Sequence, residues 1–194
     1  MKIKNVRLVK ALVLGLFVFA AALVVSCGPV APYRVSGYFV SKNLDQYNET
    51  TVAVLPFKGG ASSIVTDIAN LEFGRIGRWV LVERVRVEAL YSEQDFDPER
   101  LDDATAAKIG LMLGAQAVVL GEVYEYSRGR SSISMRLVDT ETGQQLWQAR
   151  DAIEALNISV QELAKDRYDR GRLKKDPEAL ASVNTRALVE TINR

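Results

Sequence analysis

Thr50 to Phe57 (TTVAVLPF) is apolar on successive residues and rich in β-branched side chains. A segment apolar on both faces reads as a buried strand, and it commits the chain to a sheet whose middle is hidden from water. The segments after it alternate. Gly59-Gly60 turns the chain, and Ile64, Ile68 and Leu71 repeat at i, i+4 and i+7, which predicts an amphipathic helix stopped by Gly74 and Gly77. Trp79 to Glu83 predicts a second short strand. Val87, Leu90 and Tyr91 mark one face of a helix ending near Gln94. Asp95 to Asp103 is an acidic loop containing Pro98, and Asp102 or Asp103 is a natural N-cap for a helix that buries Ala106, Ile109, Gly110 and Leu113 and closes at Gly114.

The remainder begins as a meander. Ala117 to Tyr126 predicts a strand, Ser127 to Arg130 a tight turn, and Ile133, Met135 and Leu137 alternate with Ser132, Ser134 and Arg136, giving one buried and one wet face. Asp139 to Gly143 turns into a strand over Gln144 to Arg150. Ser159 and Glu162 have capping-box spacing, ahead of a helical stripe of Val160, Leu163, Ala164 and Tyr168. Asp166 to Asp176 is densely charged and reads as a solvated loop; Asp176-Pro177 opens a last helix toward Ile192. The order predicts an α/β fold: a single-domain sandwich with a mixed sheet, a parallel βαβ half plus an antiparallel meander, flanked by helices. Val54, Leu120 and Leu137 are expected in one core, and Arg136 in water.

The N-terminus is of another kind. Lys2, Lys4, Arg7 and Lys10 precede an unbroken apolar run from Ala11 to Val25. As a helix that run rises only about 22 Å, short of a bilayer core, and a basic start before a short apolar run is a bacterial secretion signal. It ends in Val24-Val25-Ser26-Cys27-Gly28, which resembles the lipobox of bacterial lipoproteins. The resemblance implies cleavage before Cys27 and lipidation of its thiol, with Gly28, rather than an Asp, sending the protein to the outer membrane. The expected division is residues 1–26 signal peptide, 27–49 tether and 50–194 periplasmic domain. Removing residues 1–26, which hold four of the 25 basic residues and no acid, leaves 168 residues with a net charge of −3. That length suits one domain on a lipid tether.

Composition excludes much chemistry. The chain has no His and one Cys, so there is no imidazole base, no Ser-His-Asp triad, no internal disulfide and no Cys-rich zinc site. The even charge balance argues against a nucleic-acid partner. Lys58-Gly59-Gly60-Ala61-Ser62-Ser63 sits where phosphate loops occur but lacks the Walker spacing, and reads as a turn with a helix cap. Asp95, Asp97 and Glu99 begin like a calcium loop, but Arg100 and Ala106 stand where Gly and Glu are required. Asp166, Arg167, Asp169 and Arg170 alternate in sign as a solvated face does. Trp147 and Tyr124 are assigned to core or sheet packing. No catalytic, cofactor-binding or metal-binding residue is predicted, and no enzyme.

Several of these segments, in order, resemble the CsgG family, founded on the lipoprotein of the curli secretion channel: Val52 to Phe57, Val82-Glu83-Arg84 leading through Leu90 to Glu93-Gln94, Ile109-Gly110 with Leu113-Gly114-Ala115, Val118 to Gly121, and Leu137-Val138-Asp139 with Thr142-Gly143. The resemblance, which extends to the related LpoB-like activators of penicillin-binding proteins, implies an outer-membrane lipoprotein whose periplasmic α/β domain works by assembly and contact. It implies protein partners in the cell envelope, a membrane reached through the lipid anchor, and homo-oligomers. The chain departs from channel-forming members, whose sheet carries two long insertions that become membrane hairpins: only Ser127 to Arg130 stands at the first site, and a capped helix and charged loop follow Trp147. The expected function is a non-catalytic assembly or transport accessory for a cell-surface or envelope component, without membrane β-hairpins of its own. The alternative is an LpoB-like activator of a periplasmic peptidoglycan synthase.

Overall fold

The strand Ala117–Ser127 is where the two halves of the sheet meet. The computed structural model describes residues 30–193, so the expected signal peptide and Cys27 lie outside the described residues. Residues from Pro32 onward form one compact unit; of the other unit, 1–31, only Val30 and Ala31 are described. In chain order the elements are β1 (Gly37–Val40), β2 (Thr51–Val54), β3 (Lys58–Gly59), α1 (Ser62–Ile76), β4 (Val80–Leu81), α2 (Arg84–Gln94), α3 (Asp103–Leu113), β5 (Ala117–Ser127), β6 (Arg130–Asp139), β7 (Gln145–Glu154), α4 (Ile158–Ala164), α5 (Arg170–Lys175) and α6 (Pro177–Glu190). The sheet order is β1-β7-β6-β5-β2-β4, with β3 also on β5. β5 pairs parallel with β2 and β3, and β2 parallel with β4; β5, β6, β7 and β1 pair antiparallel. The mixed sheet expected from the sequence is present.

β2 is buried because helices lie on both sides of it. Val52 and Val54 point to one side with Val119, Leu137 and Trp147, under Val65, Ala69 and Phe73 of α1 and Leu188 of α6. There Phe73 meets Trp147 edge-on at 5.8 Å, and the Trp147 indole donates to Thr191 Oγ1 at 2.9 Å. Ala53 and Leu55 point to the other side with Val118 and Leu120, under α2 (Val87, Tyr91) and α3 (Ala106, Ile109, Leu113). A third cluster joins Ile153 and Ala155 at the end of β7 to Val160, Leu173 and Leu180 of α4, α5 and α6. The caps expected at Asp102 and Asp176 form, accepting from Thr105 N and from Glu178 N and Ala179 N.

Several expectations are corrected. Leu120 does not share a core with Val54 and Leu137: the register sets Val119 opposite Leu137 and Leu120 opposite Arg136, and successive residues of a strand face opposite sides. Arg136 lies on the Leu120 side, where it ion-pairs with Asp103 of α3 and is only one-third exposed. The buried stripe of α1 is Val65, Thr66, Ala69, Glu72 and Phe73; Ile64 and Leu71 are exposed. Phe73 sets this rotation by lodging between Trp79 and Trp147, while small Ala69 lets the helix approach.

Residues 37–40, expected in the tether, form an edge strand on β7, and Val35 and Leu44 are buried in the core. β7 runs four residues beyond the expected Arg150 because β6 offers partners as far as Arg130, opposite Glu154. The cap of α4 is Asn157, which accepts from Ser159 N and Val160 N. Within the expected loop 166–176, α5 forms because Asp169 caps it and buried Leu173 holds it to the domain.

Candidate interaction surface

α2 and α3 cover the Leu120 side only where β2 and the start of β5 lie. Farther along, the same face of β5, β6, β7 and β1 is open. Across it the register aligns Phe39 with Gln148 and Arg136, and Gly37 with Arg150, Ser134 and Glu122. Phe39 is 50% exposed and Tyr124 49%. With strands about 4.8 Å apart, the step from the strand of Phe39 to that of Tyr124 spans about 14 Å.

Tyr124 follows Leu120 and Glu122 onto this face by simple alternation along β5. The β5–β6 register then shifts between Val123 and Glu125, leaving Tyr124 as an extra residue without a partner on β6. The ring lies under Arg150, whose guanidinium carbon is 4.6 Å from the ring centre. The phenol donates to Glu122 Oε2 at 2.9 Å. Burial, then the bond to the Glu122 carboxylate, raises the phenol above its ordinary value, against the opposing pull of Arg150 and Arg136. Stacking holds the Arg150 side chain flat on the sheet. Aromatic faces and a pre-set guanidinium are the anchors that protein interfaces favour. β1, beside this face, is the last strand of the sheet, and its outer edge carries no partner strand among the described residues.

The motifs weighed for phosphate and calcium are partners of each other. Lys58 Nζ donates to Leu101 O at 2.6 Å, and Gly59 N donates to Glu99 Oε1 at 2.9 Å. Asp97 accepts from Glu99 N and caps a short turn over Pro98–Arg100. Gly59 has φ +91°, and a Cβ there would sit 2.2 Å from Val123 O; this turn is built for close approach between strands. Among the described residues no group of three acidic, Cys or His side chains is placed to hold a metal.

Of the residues singled out in the sequence, Trp147 lies in the core as expected, whereas Tyr124 is half exposed on the open face. Cys27 lies outside the described residues. Phe39 and Arg150 were missed. The run Tyr38-Phe39-Val40 carries a short β signal, masked by the prolines and polar residues around it.

The chain is CsgG-like: residues 44–138 match the family model described as the curli production assembly/transport component CsgG. No curated protein matches it in sequence. Similar solved structures include lipoprotein GNA1162 from Neisseria meningitidis (17% identity, 54% of this chain and 80% of that one, TM-score 0.47). The LpoB C-terminal domain from Salmonella enterica (16%, 55% and 84%, 0.45) and the PelC dodecamer from Paraburkholderia phytofirmans (12%, 80% and 91%, 0.45) are also similar.

Proposed function

We propose that this protein is an outer-membrane-anchored lipoprotein, facing the periplasm, that serves as a non-catalytic assembly or transport accessory for a cell-surface or envelope component. The observation that carries the reading is the match to the CsgG family over residues 44–138, laid on a sheet whose antiparallel half leaves Phe39, Tyr124 and Arg150 open to a partner. The partner is an envelope protein or further copies of the chain. The turn between β5 and β6 is short, and α4 and α5 occupy the stretch after β7, which supports a role without membrane hairpins. The second reading, an LpoB-like activator of a peptidoglycan synthase, calls for a tether able to cross the peptidoglycan mesh. Packing of Tyr33 and Val35 against the domain cuts the stretch available after Cys27 to five residues, Gly28 to Pro32, and weighs against it.

The test is site-specific photocrosslinking in intact cells, with a benzophenone amino acid at Phe39 or Tyr124 and, as a control, at Glu141 in the turn between β6 and β7. Adducts to one envelope protein or to a second copy at the first two positions, and none at Glu141, are expected. Adducts at none of the three would remove the basis for a contact role of this face.

A further inference from the structure

β1 fixes where the chain leaves the domain. Its antiparallel register, with Gly37 opposite Arg150 and Val40 opposite Trp147, sends the preceding residues toward the C-terminal end of β7. There the Tyr33 hydroxyl donates to the buried carboxylate of Asp151, and Ser36 Oγ donates to Arg150 O at 3.2 Å. The same end of β7 lies beside the turn between β5 and β6: Arg130 stands opposite Glu154, and Ala155 N donates to Gly129 O at 2.9 Å.

That end has an unusual surface. Leu156 is 69% exposed and Ile158 62%, separated only by Asn157, whose side chain caps α4. Arg128, Arg130 and Lys174 line one hollow with Leu156, and Glu154 is the one acid lining it. Arg130 is shared between Glu125 and Glu154 at 3.7 and 3.6 Å. Arg128 and Lys174 make no ion pair among the described residues. Branched aliphatic side chains beside uncompensated cations match a phospholipid interface, where phosphates lie over acyl chains.

The covalent chain supplies the second argument. Five residues, Gly28 to Pro32, separate Cys27 from Tyr33; even fully extended they reach only about 20 Å. We propose that this end of the domain rests on the bilayer that holds the anchor, with Leu156 and Ile158 at the acyl boundary and Arg128 and Lys174 on the phosphates of anionic phospholipids. The proposal rests on lipidation of Cys27. A single acyl chain gives only marginal binding and several give a lasting hold, so the surface contact orients the domain rather than retains it. Orientation in turn holds the open face of the sheet, with Phe39 and Tyr124, at a set height above the membrane.

The experiment uses the full lipoprotein reconstituted in phosphatidylethanolamine vesicles, with or without phosphatidylglycerol, that carry a nitroxide-labelled lipid. With Cys27 acylated, Leu156→Cys introduces the only free thiol, which is labelled with a fluorophore; Glu141→Cys is the control at the other end of the meander. Mass measurement of the same sample reports acylation. Quenching at position 156 several-fold above that at 141, strengthened by phosphatidylglycerol and reduced by Arg128→Glu with Lys174→Glu, is the expected result. Acylated Cys27 with equal quenching at the two positions overturns the surface while leaving the anchor intact. An unmodified Cys27 overturns both.

Discussion

Arg167 reaches 95 residues back along the chain to donate from Nη1 to Glu72 Oε1 at 3.0 Å. Glu72 is only 4% exposed and also takes Arg75. The contact ties α1 to the segment between α4 and α5, so the C-terminal helices are fastened to the parallel half of the sheet. Hydrogen bonds to charged groups contribute about 1.5–3 kcal/mol, and leaving one partner buried adds to the loss. Arg167 is partly solvated and Arg75 stays behind, so Arg167→Met is expected at the lower end, about 1–2 kcal/mol in urea unfolding. A double-mutant cycle with Glu72→Gln should show positive coupling; additive effects would mean that the pair is incidental.

Leu120→Ala should cost about 2–5 kcal/mol, since the side chain is buried under α2 and α3. Arg136→Ala removes only its partly exposed pair with Asp103 and should cost about 1 kcal/mol or less. Equal losses in thermal unfolding would contradict the register described above.

Two glycines on helices should respond in opposite directions. A Cβ on Gly110 of α3 would lie 2.4 Å from the Thr140 methyl and 2.6 Å from a Val118 methyl, whereas one on Gly74 of α1 would meet only Leu81 Cδ1 at 3.6 Å. Gly110→Ala should therefore destabilise by about 1–3 kcal/mol, despite the gain in helix propensity. Gly74→Ala should stabilise by about 0.5–1 kcal/mol. Both follow from the shift in urea midpoint.

Alkaline stability should depend on Tyr47, which donates to Asp139 at 2.9 Å. Burial first, then the bond to Asp139 and the charges of Asp139 and Glu141, push the Tyr47 phenol up to about 12 from 10.0. A raised folded value contributes stability that is complete below pH 10 and is lost as pH rises toward 12. Asp139 is affected the other way: burial raises it, but bonds from Thr142 and Tyr47 outweigh burial and lower it. Its contribution is present above the unfolded carboxylate value and is lost as pH falls through the folded one. Tyr47→Phe should flatten the loss of stability between pH 10 and 12 and move the acid limb toward higher pH. A titration of the urea midpoint that matches the parent on both limbs would falsify the pairing.

Replacing Cys27 with Ser should leave an unprocessed or soluble chain. Envelope fractionation and mass measurement read this directly; an unchanged mature size and sedimentation would sink the lipobox reading.

The parts of the fold that were legible share a cause. The buried face of α3, read as Ala106, Ile109, Gly110 and Leu113, is buried residue for residue, because these four recur at i, i+3, i+4 and i+7 behind a clear cap at Asp102. In α1 two stripes compete, Ile64-Ile68-Leu71 and Val65-Ala69-Phe73, and contacts of Phe73 with nearby Trp79 and with Trp147 from a distant strand choose between them. The open face was illegible for a related reason. Tyr124 comes to it from β5, and Arg150 and Phe39 meet it through strands far apart in sequence. Spacing along the chain carries no trace of such a meeting.

The pairing of β1 with β7 has a consequence for how the molecule comes into being. Ser36 and Arg150 bond across 114 residues, so the first strand to emerge during synthesis needs a partner that appears only near the end. β5, β6 and β7 are joined by short turns and can pair with one another locally, whereas β1, which pairs only with β7, must wait for them. Distant pairings of this kind are slow, and unpaired strand edges are prone to aggregate meanwhile. Until β7 is complete, Tyr38 and Phe39 have no sheet to join.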